Sequence, residues 1–186
     1  MRVTIFGGSQ PKPGQPTYEE AYRLGQLLGK DGHTILTGGY IGTMEAASRG
    51  AYEAGGQVIG VTCEDIERWR QIGPNPYITE QIRVPTLSER IHTLVFNCHA
   101  AVALPGGIGT LAEIAVYWNH LAIESFPPQP LILVGAGWKT IAQAFLESQG
   151  TFIPEQDHTR LTYAATVDEA YQYLRRYLEN LQERKQ

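Results

Sequence analysis

Short apolar segments alternate with longer segments of helical periodicity along nearly the whole chain. The segment RVTIF at 2–6 is the first of them, and AAVAL at 100–104 is almost wholly apolar, as expected for a strand covered on both faces. This alternation is typical of a parallel sheet assembled from βαβ units. We therefore predict an α/β protein: a Rossmann-like, doubly wound, mainly parallel sheet with helices on both faces. Its 186 residues suit one domain spanning 1–186.

Composition indicates a soluble, folded protein and argues against several classes. Hydrophobic residues make up 42% of the chain and charged residues 18%, enough to build a core without metal or disulfide staples. The formal charge of -4 argues against nucleic-acid binding, which requires a basic face. The chain has no run of about 18 apolar residues, so we expect no membrane span. Its N-terminal apolar segment is too short for a signal peptide, and we expect a cytoplasmic protein.

The two cysteines, Cys63 and Cys98, each lie beside an apolar segment. Neither has the neighbours that a zinc site requires, and no metal is expected. We predict buried free thiols rather than a disulfide, because cysteine behaves as a small apolar residue in protein cores.

Two patterns of the type S/T-x-x-E predict helix starts. Thr17, followed by Glu20, forms one candidate capping box and is expected to open the first helix. Thr110, followed by Glu113, forms a second and is expected to open a helix that runs to residue 123.

Two segments need a separate interpretation. Residues 62–79 lack a clear period and are predicted to form a structured loop that covers a pocket. Trp69 in this segment either stacks on a bound ring or is a buried aromatic anchor. Near the end of the chain, helical spacing predicts an apolar stripe for core or subunit packing, made of Tyr171, Leu174, Leu178 and Leu181.

Two glycine loops share one pattern. The segments GYIGTM at 39–44 and GGIGTL at 106–111 each follow an apolar segment and precede a helical one. Ligands of doubly wound sheets bind at the carboxyl ends of the strands, where such loops lie. The pair therefore predicts a ligand site to which both halves of the sheet contribute.

The second loop has the composition of an anion site. Gly106, Gly107 and Gly109 lack Cβ atoms, so their N–H groups can approach an anion, and a helix beginning at Thr110 directs its positive end at the same place. A phosphate is the natural occupant, although a glycine turn with the capping box needs no ligand. The chain lacks the G-K-S/T of a P-loop and the G-x-S-x-G of a nucleophile elbow. Residues 107–112 match the dinucleotide fingerprint G-x-G-x-x-A. That fingerprint belongs after the first strand of the sheet, whereas this match follows a middle strand, so it does not indicate a dinucleotide site.

The segment PGGIGTLAE at 105–113 resembles the P-G-G-x-G-T-x-x-E motif of the LOG family, once labelled possible lysine decarboxylases. IFGGSQ at 5–10 is similar to the first-strand loop of that family, and the segment at 37–61 to its second glycine loop, helix and third strand. Arg90 matches the catalytic arginine of the family and precedes Glu113 by the same 23 residues. The resemblance covers about residues 2–150.

The resemblance implies a nucleoside 5′-monophosphate phosphoribohydrolase, which cleaves the N-glycosidic bond of AMP or a cytokinin nucleotide to a free base and ribose 5-phosphate. Glu113 would stabilise the oxocarbenium-like state or activate water, and its place in the first turn of a helix is expected to keep it ionised. Arg90 would orient the substrate and offset negative charge. The phosphate would be held by Gly106, Gly107, Gly109 and Thr110. No cofactor is implied.

Further residues are expected to line the nucleotide pocket or to be ordinary turn residues: Gly8, Ser9, Gly38, Gly39, Met44 and Asn119. The chain also departs from the family pattern. Ile91 replaces the lysine that usually follows the catalytic arginine. His99 replaces the aspartate that usually precedes the fourth strand, and Asn119 replaces a threonine. GGYIGTME stands where G-G-G-x-x-G-L-M-G is usual. These departures are expected to surround the base and ribose.

A non-catalytic function is the alternative. Some relatives resemble molybdenum cofactor carriers, which hold a phosphorylated pterin, and the departures at 91, 99 and 119 suit that role. Lysine decarboxylation is not expected, because no lysine lies in a glycine-loop motif to form a Schiff base with pyridoxal phosphate. A DNA-processing protein of related fold is disfavoured by the acidic charge. Family members are usually homodimers with sites near the subunit boundary, and we expect a homodimer here.

Overall fold

The computed structural model describes residues 1–183, and only the backbone at positions 178 and 181–183. In this part of the chain seven strands form one sheet: Arg2–Phe6 (β1), Thr34–Thr37 (β2), Val58–Cys63 (β3), Glu80–Val84 (β4), Ala100–Ala103 (β5), Leu131–Val134 (β6) and Leu161–Ala164 (β7). The order across the sheet is β4-β3-β2-β1-β5-β6-β7, and neighbouring strands pair in parallel. The predicted Rossmann-like α/β fold is confirmed.

Helices cover both faces of this sheet, as predicted. Within residues 1–183 they are Pro16–Lys30 (α1), Thr43–Glu53 (α2), Glu64–Arg70 (α3), Leu87–Phe96 (α4), Ile108–Ala122 (α5), Ala136–Gln149 (α6), Glu155–His158 (α7) and Val167–Glu183 (α8), with a 3-10 turn at Gly150–Phe152. One apolar cluster takes side chains from α1, α2 and α8, and a second takes them from α4, α5 and α6. None of the described helices has the length and apolar character needed to cross a membrane.

Strand β5 shows how one sheet serves two cores. Ala100 and Val102 pack in the first cluster, and Ala101 and Ala103 pack in the second. Successive side chains of a strand point to opposite faces, so a strand between two helical layers must be apolar at every position. The apolar run at 100–104 therefore predicts this central strand correctly.

The first helix begins before Thr17, so the predicted capping box there is wrong. Helix α1 starts at Pro16, and the side chain of the preceding Gln15 accepts a hydrogen bond from the Lys12 N–H instead of capping the helix. Proline suits the first helical position, because its missing N–H has no partner there and its φ is already helical. The proline, rather than the threonine, sets this boundary.

The segment at 62–79 is only partly a loop. Strand β3 continues to Cys63, helix α3 follows it, and residues 71–79 are irregular. Acidic residues in the first turn of α3 and arginines in its last turn match the helix dipole, which stabilises so short a helix. Trp69 is 74% exposed, so its interpretation as a buried anchor is wrong.

The remaining packing predictions are confirmed where the structure describes them. Cys63 and Cys98 are free, buried thiols. Tyr171 and Leu174 of the C-terminal stripe pack in the first cluster. The side chains of the other two stripe residues, at 178 and 181, lie outside the described part.

Glycines let helices α1 and α2 approach each other closely. A Cβ atom on Gly25 would collide with the backbone carbonyl of Ala47, and one on Gly50 with the backbone carbonyl of Tyr22. Because these obstacles are backbone atoms, a rotamer change cannot relieve the clash. The contact of α1 with α2 therefore requires glycine at both positions.

We predict that Gly25→Ala lowers the free energy of unfolding by about 1–3 kcal/mol, the usual cost of overpacking. Alanine is otherwise favoured over glycine inside a helix by about 0.5–1 kcal/mol, so a loss must come from the clash. Urea denaturation measures the change. The control is Gly137→Ala in α6, where a Cβ atom meets open space and stability should not fall. Equal stability of the two variants would contradict the packing described for α1 and α2.

Candidate active site

The chain order places a crevice at the centre of the sheet. From β1 the chain proceeds outward through β2 and β3 to β4, and then returns to β5 on the other side of β1. The loops after β1 and β5 therefore leave in opposite directions. In open α/β sheets this switch point, at the carboxyl ends of the strands, is where ligands bind.

Backbone hydrogen bonds join three loops at this point. The Gly8 N–H donates to the Pro105 carbonyl at 3.1 Å, which connects the loops after β1 and β5. The Gly8 carbonyl accepts from the Thr43 N–H at 2.9 Å and from the Thr43 hydroxyl at 3.1 Å, which connects the loop after β1 to the start of α2. The structure thus brings together the loops that the sequence singled out.

The two glycine loops are structural counterparts. Gly42 precedes α2 as Gly107 precedes α5. Gly42 has a φ of 77°, and a Cβ atom there would collide with the Gly8 carbonyl oxygen. A Cβ atom on Gly106 would collide with the Thr110 hydroxyl and lie 2.9 Å from the Gly8 nitrogen. Glycine is required at both positions because the loops meet backbone to backbone.

Helix α5 begins at Ile108, two residues before the predicted start. Its first hydrogen bond runs from the Leu111 N–H to the Gly107 carbonyl at 3.0 Å, so the preceding N–H groups of the helix have no acceptor within it. Thr110 is buried inside the first turn, with its hydroxyl against Gly106, and is not the capping residue. A Cβ atom on Gly107 or Gly109 would meet open space, which leaves this loop accessible.

Arg90 enters the site from α4. Its Nε donates to the Val61 carbonyl at 2.8 Å, and its guanidinium lies 5.6 Å from the centre of the Tyr40 ring. Nη2 contacts the Met44 sulfur at 3.7 Å, and a Cβ atom on Gly38 would collide with that same nitrogen. Gly38 and Met44, predicted from the loop pattern, therefore lie directly against the arginine.

Arg90 and Glu113 form a buried ion pair. Their Nη1 and Oε1 atoms are 3.4 Å apart, and the two side chains are 6% and 9% exposed. This is long for a charge-assisted hydrogen bond, which typically measures about 2.7–2.9 Å. The structure thus brings together the two residues that the family motif singled out, one cation and one carboxyl, without a tight contact.

Burial raises the pKa of the Glu113 carboxyl to about 7, although the Arg90 charge and hydrogen bond act in the opposite direction. The sequence-based expectation that a helix N-terminus keeps Glu113 ionised is therefore wrong. Because α5 begins at Ile108, Glu113 lies beyond the first turn, where the dipole has little effect. Loss of water around the carboxyl outweighs the nearby cation.

Other predicted pocket residues lie around this centre. The Ser9 hydroxyl accepts a hydrogen bond from Arg70 Nη1 at 2.8 Å, which ties the β1 loop to α3. Gly39 has a φ of 76°, and its carbonyl accepts from the Asn75 N–H at 2.8 Å. This hydrogen bond to the Gly39 carbonyl therefore anchors the irregular segment that follows α3.

Three of the four departures from the family pattern, at positions 91, 99 and 119, lie away from this cluster. Asn119 is exposed and lines a groove of about 310 Å³ between α5, α6 and α7, together with Phe145 and Phe152. His99 precedes β5 and so lies at the amino ends of the strands, away from the crevice. Its Nδ1 accepts a hydrogen bond from the Arg2 N–H at 3.0 Å. Ile91 packs against the second apolar cluster. The expectation that these positions surround one bound base and ribose is not supported within this chain.

Sequence analysis missed Tyr40, Thr43 and Arg70. Tyr40 is buried, and its hydroxyl donates to the Cys63 carbonyl at 3.1 Å and accepts from the Cys63 N–H at 2.8 Å, so the ring is fixed beside Arg90. Thr43 had a signal in the sequence, since it occupies the position in the first loop that Thr110 occupies in the second. Arg70 had none, because its partner Ser9 is distant in sequence.

Comparison with known proteins finds a matching family and relatives that are named as nucleotide hydrolases. A family model described as the SLOG cluster4 family matches residues 1–161. A probable cytokinin riboside 5′-monophosphate phosphoribohydrolase of Oryza sativa subsp. japonica is 33% identical over 129 residues, 68% of this chain and 52% of that protein. The pyrimidine/purine nucleotide 5′-monophosphate nucleosidase of Escherichia coli is 31% identical over 150 residues, 77% of this chain and 32% of that protein. The aligned part of this chain thus spans about half the length of the rice protein and about a third of the length of the Escherichia coli protein.

Solved structures show the same fold over nearly the whole chain. The molybdenum cofactor carrier protein of Chlamydomonas reinhardtii has a TM-score of 0.71 and is 23% identical, with 96% of this chain and 98% of that chain covered. At this level of identity the likeness establishes the fold alone.

The pKa of Glu113 makes a prediction about stability. Between its ordinary pKa of 4.5 and its folded value of about 7, the folded protein binds this proton and the unfolded chain does not. The free energy of unfolding therefore falls as pH rises through this window. We predict that Glu113→Gln, which cannot titrate, gains stability relative to the wild type with rising pH, by up to about 1.4 kcal/mol per pH unit.

Urea unfolding from about pH 5 to about pH 8 measures this difference. The exposed Glu20→Gln is the matched carboxylate-to-amide control and supplies the baseline. If the stability of Glu113→Gln relative to the wild type stays constant with pH, or falls as pH rises, burial does not prevail over Arg90 in setting this pKa.

Proposed function

The chain belongs to the SLOG cluster4 family, and on this basis we propose that it is a nucleoside 5′-monophosphate phosphoribohydrolase. Its substrates would be AMP or a cytokinin nucleotide, and its products a free base and ribose 5-phosphate. One observation carries the proposal: Arg90 and Glu113 form a buried pair next to glycine loops at the switch point of the sheet. The named activities of the rice and Escherichia coli relatives support it.

The phosphate would bind at the start of α5. The N–H groups of Ile108, Gly109 and Thr110 have no acceptor within the helix, and the helix dipole adds a positive potential at the same end. Gly106 and Gly107 present backbone without side chains, so an anion can approach closely. Nothing in this step requires a metal or an organic cofactor.

Glu113 would act on the ribose. The bond between C1′ and the base nitrogen breaks with its electron pair on the base, and positive charge develops on the ribose ring. A carboxylate beside the ring stabilises that charge, and a water-poor site strengthens the interaction. Glu113 then accepts a proton from the water that attacks C1′ and returns it to the departing base, which regenerates the carboxylate. A pKa of about 7 suits a group that accepts and returns a proton at neutral pH.

Arg90 would offset negative charge on the departing base or on the phosphate. Its Nε is held by the Val61 carbonyl and its guanidinium by Tyr40 and Met44, so its position does not depend on the ligand. Gly38 leaves the space that the guanidinium occupies. Such a preorganised charge favours the transition state without reorganising during the reaction.

A non-catalytic carrier of a phosphorylated nucleotide or pterin is the second candidate. It follows from the family resemblance, and the carrier protein of Chlamydomonas reinhardtii, which shares this fold, is named for that role. Tight binding of molybdopterin without release of base from AMP would decide for the carrier. Release of adenine at a rate that depends on Glu113 would decide for the hydrolase.

We further propose that the chain acts as one domain, in a cytoplasmic homodimer, on small phosphorylated ligands and not on nucleic acid. The charge of -4 supports the last point. Exposed apolar side chains on α5 and α6, such as Leu111 and Ile141, support a subunit interface on that face.

We predict that Glu113→Gln lowers the rate of adenine release from AMP by about 10²- to 10⁴-fold, the usual contribution of a positioned acid or base. Chromatography of adenine and ribose 5-phosphate measures the rate, and circular dichroism checks folding. The exposed Glu20→Gln should retain the wild-type rate. If folded Glu113→Gln stays within about twofold of the wild type, Glu113 is not the catalytic carboxylate.

The pH dependence of kcat/KM gives a separate test. Since the ionised carboxylate is the active form and the pKa of Glu113 is about 7, kcat/KM should rise about tenfold per pH unit below pH 7 and level off above it. Initial rates at low AMP concentration measure this profile. A profile that is already level at pH 5 would contradict the assigned pKa or the assigned role.

A further inference from the structure

A cavity of about 610 Å³ lies beside the site but contains neither Arg90 nor Glu113 in its lining. Its walls come from the loop after β1, the starts of α1 and α2, and helix α3 with the segment that follows it. Ser9 and Gly42 line this α3 cavity and also belong to the joined glycine loops, so the cavity and the site are neighbours. Its volume is in the range of about 300–1,000 Å³ that is usual for small-molecule pockets.

Helix α3 presents an aromatic surface to the α3 cavity. Trp69 lines it and is 74% exposed, although tryptophan usually buries most of its area. The Arg70 guanidinium lies 4.6 Å from the Trp69 ring centre and donates to the Ser9 hydroxyl at 2.8 Å. Arg70 thus links the exposed indole to the β1 loop.

The α3 cavity also contains an oriented carboxylate. The Tyr18 hydroxyl donates to Glu45 Oε1 at 3.2 Å, and both residues line the cavity. Burial and the Glu45 charge raise the pKa of Tyr18 to about 12, so this hydroxyl is protonated at neutral pH. Glu45 is the last residue of the segment GGYIGTME, which departs from the family pattern G-G-G-x-x-G-L-M-G.

We propose that the α3 cavity binds the base of the ligand, with a fused heteroaromatic ring stacked on Trp69 and its exocyclic amino group donating to Glu45. The inference rests on the proposed function for the position of the phosphate, at the start of α5. From there the ligand extends past Gly8 and Ser9 toward α3. Amino-bearing purines are the chemical class that fits, because stacking accepts any flat ring and a carboxylate selects a donor.

The test compares two ligands that differ by the base. AMP and ribose 5-phosphate are titrated by calorimetry into the wild type, Trp69→Ala and Trp69→Phe, each carrying Glu113→Gln so that AMP is not cleaved during the titration. Loss of base stacking should weaken AMP binding by about 5- to 150-fold in Trp69→Ala, while ribose 5-phosphate binding stays unchanged and Trp69→Phe binds AMP close to the wild type. Phe152→Ala is the matched control, since Phe152 is also an exposed aromatic side chain but lines the other groove.

A second comparison addresses Glu45. Wild-type protein should bind AMP more tightly than IMP, because IMP presents a carbonyl oxygen to the carboxylate where AMP presents an amino group. In Glu45→Gln the amide can donate or accept, so the two nucleotides should bind about equally. Equal binding of AMP and IMP by the wild type would remove Glu45 from the inference.

The outcomes separate this inference from the proposed function. AMP binding that depends on Trp69 without release of adenine would support the base site and refute the hydrolase. The base site is overturned if Trp69→Ala binds AMP as the wild type does, if it loses AMP and ribose 5-phosphate to the same extent, or if the wild type does not bind AMP.

Discussion

The site depends on one backbone junction, where Gly8 joins the loops that follow β1, β2 and β5. Its N–H donates to Pro105 and its carbonyl accepts twice from Thr43. These bonds form only if the loops approach within backbone contact, and glycine at 42 and 106 permits that approach. The close contact of α1 with α2 at Gly25 and Gly50 belongs to the same constraint, since it holds the helices that follow two of these loops. Small residues, rather than reactive ones, therefore determine where the reactive ones lie.

Within this frame, the chemistry of Glu113 is decided by a competition between burial and charge. Arg90 favours the carboxylate, but its nearest nitrogen is 3.4 Å away and its Nε is engaged by Val61. Desolvation therefore prevails, and the pKa rises. A tighter ion pair would keep Glu113 permanently ionised and make it a poorer proton acceptor. In the proposed reaction, the long contact is thus the property that suits the pair to acid–base chemistry.

Sequence analysis predicted the fold and singled out Arg90 and Glu113 of the candidate site, because both leave local signals. Apolar runs mark strands buried on two faces, as at 100–104, and the spacing of Arg90 from Glu113 survives as a family pattern. It was wrong where competing local effects decide. Pro16 sets the start of α1 ahead of Thr17, and Gly107 sets the start of α5 ahead of Thr110. Contacts between distant segments, such as Arg70 with Ser9, have no signature in sequence, so the sequence left open whether Trp69 is buried or exposed.

The candidate site draws on two sets of elements. The buried pair comes from α4 and α5, whereas Trp69 comes from α3. Glu64 and Glu67 of α3 form ion pairs with the exposed Arg83 of the edge strand β4. Exposed pairs of this kind contribute little to stability, so substitutions there are tolerated. Natural variation can therefore remodel the rim around α3 while the buried pair stays unchanged. One scaffold can in this way acquire different ligands among its descendants without losing its fold.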